Sequence, residues 1–178
     1  MTQLPFLSAV AVFLLALIAV AIYFVTRARR ASRTTWMELL GRLKPIDRDK
    51  VAVIALDLLE EQEATPALDP ELIFEMIGGM DGLDAMEQNC DVLIDMAAYV
   101  QQWYPEAVEI SEELRLNARE IKWHIGRLRG ASERGHLFEQ FPMYAQRAVA
   151  TYYLMTRSLL ILYEGAHIAG FTDLQRAL

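Results

Sequence analysis

Cysteine is nearly absent: Cys90 is the only one among 178 residues. A single thiol excludes an internal disulfide framework and any zinc site built on paired cysteines. Phosphate-binding glycine loops are missing too. The one glycine cluster, Gly78-Gly79-Met80-Asp81-Gly82, has neither the lysine nor the preceding strand that a phosphate cradle requires. No calcium loop fits, because neither Asp47-Arg48-Asp49 nor Asp81-Gly82-Leu83-Asp84 is followed by the necessary glycine and terminal glutamate. No stretch alternates apolar and polar with a period of two, so no strand is predicted. Internal repeats and low-complexity linkers are also lacking.

Positive charge is missing from the middle of the chain. Between Lys50 and Arg115 there are 16 acidic residues and no Lys or Arg, whereas Arg115 to the end holds 9 basic and 5 acidic. The net charge of −7 and the acidic half argue against a general nucleic-acid binder, which needs a net basic face. Two uses of such a division are open. The basic helices can pair with the acidic half inside the molecule, or segment 51–114 can offer an acidic surface to a basic partner.

What the sequence does have is one long apolar run, Leu4 to Val25, with no charged side chain. As a helix it would measure roughly 33 Å, against a hydrocarbon layer of ~30 Å. The expectation is a single-pass, signal-anchor transmembrane helix over 4–25, preceded by a short extracytoplasmic N-terminus, 1–3. The start lacks a basic residue and the run is too long for a cleaved signal peptide. Arg27, Arg29, Arg30 and Arg33 in the segment 26–33 place positive charge after the run. By the positive-inside rule this predicts an N-terminus outside and a cytoplasmic domain over 34–178, in the plasma or inner membrane. The bilayer and its anionic headgroups would then be partners, met by Tyr23, by the four arginines and by Trp36. Ser32 follows two arginines in a short basophilic-kinase pattern, which a stop-transfer cluster explains more simply.

Beyond the run, helix punctuation is legible. Thr34 or Thr35 caps a short helix from Trp36 to Leu43, and Asp47 caps another to about Glu63. Asp69 as cap and Pro70 at the first position open a third, which Gly78-Gly79 stops. Three longer helices follow: Gly82 to Trp103, Pro105 to Gly130, and Pro142 to about Ala169. Their stripes recur every three or four residues, as in Leu83, Met86, Cys90, Leu93 and Ala97, or Ala145, Ala148, Tyr152, Met155 and Leu159. The predicted fold class is all-α: an antiparallel helical bundle of about three long and three short helices behind the membrane helix.

Candidate chemistry is thin. Glu164 and His167 have the Glu-x-x-His spacing of carboxylate-bridged metal bundles, but those sites need a second such pair and further glutamates. Glu120 and His124 are four apart, one residue off that motif, and Arg157, Glu164 and His167 read more simply as an ordinary polar surface row. No catalytic residue is assigned and no cofactor is expected. Cys90 sits on an apolar stripe and reads as a small buried hydrophobe. Trp123 falls off the Ile121–Ile125–Leu128 stripe, so it is either a contact for another subunit or covered by a flanking short helix. The expected function is a membrane-tethered helical interaction module, an adaptor or small subunit of a larger assembly, with a protein partner or self-association. The alternative is a metal-dependent helical-bundle enzyme centred on Glu164 and His167.

Overall fold

The computed structural model describes residues 12–19, 35–60, 68–167 and 170–178, and the chain forms two units, Met1–Thr35 and Trp36–Leu178. In the first unit the described element is helix α1, residues 12–19. Among the described residues no helix is long and apolar enough to cross a membrane. This corrects the expected membrane-spanning helix over 4–25, together with the single-pass topology, the cytoplasmic placement of 34–178 and the membrane location built on it. Residues 4–11 and 20–25 of the run lie outside the described residues. So do Tyr23, Arg27, Arg29, Arg30, Ser32 and Arg33.

In the second unit every regular element among the described residues is a helix, as the patterning predicts. Its elements are α2 (Trp36–Arg42), α3 (Arg48–Glu60), α4 (Pro70–Ile77), α5 (Gly79–Val100), α6 (Ala107–Glu133), α7 (Leu137–Gly165) and α8 (Phe171–Ala177). Helices α5, α6 and α7 pack on one another, with α3 against α7, α4 against α5 and α7, α2 on α5 and α8 on α7. Ion pairs record the direction of the first two. Asp91 of α5 meets Lys122 of α6 at 2.9 Å, while Asp84 and Glu87 meet Arg129. Stepping back along α5 therefore moves forward along α6, which makes the pair antiparallel. A three-residue turn, Arg134–His136, then reverses the chain into α7.

Local chemistry sets the boundaries. Asp69 Oδ1 accepts from the Glu71 N–H at 3.0 Å, and Pro70 fills the first helical position where no N–H is needed. Gly78, at φ 86°, turns the chain left-handed and its N–H donates to the Glu75 carbonyl at 3.0 Å, closing α4. Asp47 caps α3 through the Lys50 N–H, 3.2 Å away. That bond, aided by the nearby Lys50 ammonium, holds its carboxyl below the usual range.

The predicted stripes are buried: Leu83, Met86, Cys90, Leu93 and Ala97 on α5, Leu114, Ile121, Ile125 and Leu128 on α6, Ala145, Ala148, Tyr152, Met155 and Leu159 on α7. Each large aliphatic side chain so removed from water contributes about 1.5–3 kcal/mol relative to exposure. Asn89 and Tyr163 find partners for their polar groups inside this core. Asn89, 1 % exposed, accepts the Lys44 N–H at 2.7 Å and donates to the Lys44 carbonyl at 2.9 Å and the Tyr152 hydroxyl at 3.0 Å. The Tyr163 hydroxyl donates to the Met96 carbonyl at 3.1 Å.

Several helix limits differ from expectation. α5 starts at Gly79, directly behind the Gly78 reversal. α6 runs through Gly130 to Glu133, because Ala131 is fully buried and keeps the last turn docked. α7 begins at Leu137 rather than Pro142, since Phe141 is wholly buried with its ring 5.2 Å from that of Phe74. Its other end is shorter than expected, and α8 is a separate helix begun behind Gly170.

Candidate interaction surface

The outer side of the α6–α7 pair carries an aromatic and cationic cluster. Trp123 is 56 % exposed, and among the described residues no short helix covers it. Its ring meets that of Tyr144 on α7 edge-on, at 5.6 Å between centroids. The Arg127 guanidinium, one turn further along α6, lies 5.9 Å from the Trp123 ring and 5.8 Å from the Tyr144 ring. Cation–π attraction of this kind contributes about 0.5–1 kcal/mol at an exposed site. Trp123 is thus propped on two sides rather than swinging freely. Among the described residues Arg119, Arg127 and Arg147 make no ion pair with a protein carboxylate.

Beneath the cluster lies His124, 3 % exposed, with its ring 4.9 Å from Trp123 and 5.6 Å from Tyr144. Nε2 is 3.5 Å from Glu120 Oε1, and Nδ1 is buried without a hydrogen-bond partner. That pairing assigns the proton of the neutral ring to Nε2. Burial lowers the imidazole pKa, against the opposing pull of the Glu120 carboxylate and with some help from Arg147. The folded protein therefore binds the proton less readily than the unfolded chain. Stability from this group is complete above its ordinary value of 6.5 and is lost as pH falls below it toward the depressed folded pKa. Urea titrations at pH 7.5 and pH 5 test this. The midpoint gap between wild type and His124→Phe should shift against wild type at the lower pH, and a gap independent of pH would contradict it.

The remaining sequence candidates do not converge. Glu164 and His167 are both exposed, and α7 ends at Gly165. His167 lies past the end, at φ 49°, with its N–H donating to the Glu164 carbonyl at 3.1 Å. The two side chains therefore do not share a helix face, which is what the metal-bundle spacing presupposes. Glu120 and His124 do meet, as described, but among the described residues no three His, Cys, Asp or Glu side chains gather where they can hold a metal ion. Cys90 is fully buried, and burial pushes its thiol up to about 12, which leaves no useful thiolate near neutrality. Trp36, expected at a membrane interface, packs instead on the Tyr163 and Tyr99 rings at 5.0 and 6.2 Å.

Sequence reading finds Trp123 and misses its supports. Arg127 is available as an i, i+4 neighbour, but Tyr144 lies across a turn and only the register of α7 on α6 brings it there. The division of charge is used internally in part: the α5 carboxylates Asp84, Glu87 and Asp91 pair with α6, and Asp95 pairs with Arg42 of α2 at 2.9 Å. These pairs are exposed, and each is worth about 0–1 kcal/mol.

Compared with known proteins, the chain matches no family model, no curated protein and no solved structure.

Proposed function

We propose that this protein is a protein-interaction module, an adaptor or small subunit, whose contact surface is the outer face of α6 with the adjoining edge of α7. The observation that carries this reading is the exposed Trp123, held in place by Arg127 and Tyr144 on two long, well-packed helices. Trp, Tyr and Arg are the side chains on which binding energy concentrates, and a pre-ordered anchor loses little rotamer freedom when it docks. Leu116 on the same helix is 63 % exposed, and Leu154 and Ile161 on α7 are 41 % and 59 % exposed. Leu116, seven residues before Trp123, falls on the same side of α6 and extends the apolar area in which such an anchor seats.

Affinity purification of the tagged full-length chain tests the reading. A polypeptide retained by wild type should be lost from Trp123→Ser, with a fall of at least roughly 30-fold, the size of a 2 kcal/mol hot spot. It should persist with Trp103→Ser, a change at an equally exposed tryptophan whose ring packs on Tyr99 of α5. Retention that ignores Trp123 would contradict it.

A further inference from the structure

The outer line of α6 has an order of its own. Glu112, Leu116, Arg119, Glu120, Trp123 and Arg127 are all exposed. Steps of three and four residues keep them on one side of the helix, over a length of about 22 Å. Read from the other end, the line is its own complement: acid against base at the ends, leucine against tryptophan within, and Arg119 beside Glu120 at the centre.

We propose that the occupant of this face is a second copy of the chain, docked with the two α6 helices antiparallel about a two-fold axis between Arg119 and Glu120. This rests on reading the α6 face as a contact surface. A two-fold interface pairs residue i with j and j with i. Here Glu112 meets the second copy's Arg127, Leu116 meets its Trp123, and Arg119 meets its Glu120, each contact made twice. The arrangement extends one turn further. Glu109 falls opposite Gly130 of the second copy, which has no side chain to block the approach. The Arg134 guanidinium is folded over that glycine, 3.5 Å from where a Cβ would stand. Glu109 thereby gains a cation as well.

The charges select both partner and direction. A parallel second copy sets Glu112 on Glu112 and Arg127 on Arg127, and like charges in register are penalised. An acidic helix from another protein suits Arg119, Arg127 and Arg147 but sets its own carboxylates on Glu109, Glu112 and Glu113. An antiparallel copy of the same sequence satisfies both ends. Glu120 keeps one carboxylate oxygen for the second copy's Arg119 while the other faces His124. Four turns of one helix with the edge of α7 make a small interface, so the dimer is reversible and depends on concentration.

A charge-swap capture experiment with the full-length chain in two tagged forms tests this. Wild type should capture wild type. Arg127→Glu should fail to capture itself, and so should Glu112→Arg, each by at least tenfold, because the altered contact occurs twice. A mixture of Arg127→Glu with Glu112→Arg should recover to within about threefold of wild type, since every acid again faces a base. That recovery also shows that both variants are folded, although Glu112→Arg gives up its own pair with Arg115. Equal capture by all combinations would overturn the proposal, as would a mixture as weak as its components, or wild type that does not capture itself. In that last case, a different polypeptide retained through Trp123 leaves the contact surface standing and removes only the second copy. If nothing depends on Trp123, both readings fall.

Discussion

Asn89→Ala lowers the unfolding free energy of the helical unit by about 3 kcal/mol, because it strands three polar groups at once. The amide is 1 % exposed and serves both the N–H and the carbonyl of Lys44, in the link after α2, as well as the Tyr152 hydroxyl on α7. One side chain thus ties the α2–α3 connection to α5 and α7. Burial raises the Tyr152 phenol well above its ordinary value, with desolvation outweighing the Asn89 bond, so the hydroxyl stays protonated and needs a partner. Thermal melts followed by circular dichroism should show a drop of about 10 °C for Asn89→Ala. Tyr152→Phe removes one contact and no backbone partner, and should cost about 1 kcal/mol. If the two variants melt together, the network does not act as described.

Gly82→Ala is expected to be as damaging, for a reason of space alone. A Cβ at that position would lie 1.8 Å from the Ile77 carbonyl oxygen. The obstacle is backbone rather than a flexible side chain, so the α4–α5 corner has to open. Gly78 lies inside that corner, and Ile73, Ile77 and Leu83 are packed into the core on either side of it. We expect a loss of about 3 kcal/mol, at the upper end for overpacking a tight site. Gly126→Ala is the matched control. It is also helical, a Cβ there meets nothing within 4 Å, and it should gain about 0.5–1 kcal/mol from helix propensity. Chemical denaturation of the two variants side by side separates a clash from a general glycine effect.

Much of this architecture is legible in the chain. Asp69, Pro70 and Gly78 state the limits of α4 because caps and left-handed turns are local chemistry. The stripes of α5, α6 and α7 are legible because burial repeats with the helical period. Other limits depart from the local signal where packing outweighs it: Phe141 carries α7 back past Pro142, and Ala131 carries α6 past Gly130. The apolar length of the run from Leu4 to Val25 predicts a membrane helix. Such a run states only that its side chains avoid water, and among the described residues no helix is long and apolar enough to cross a membrane. The Glu164–His167 spacing failed for a similar reason, because it has meaning only if the helix continues through both residues.

The candidate site was half legible. Trp123 stands out by falling off its stripe, and the alternating charges of α6 are plain once the exposed face is known. Tyr144 and His124 are not readable in that role, because their place depends on how α7 lies against α6. The self-complementary order of Glu112, Leu116, Trp123 and Arg127 needs no tertiary information, yet only exposure of all four turns it from a sequence pattern into a surface.

Hydroxyl-radical footprinting of the full-length protein across a dilution series tests that surface most directly, because Trp103 is an internal reference. Trp123 and Trp103 are 56 % and 61 % exposed in one chain and should oxidise at similar rates when dilute. As concentration rises, Trp123 and Leu116 should become protected together while Trp103 stays unchanged. Protection of Trp103 with Trp123 left open, or no change at either, would contradict the assignment of the α6 face as the place where this protein meets its partner.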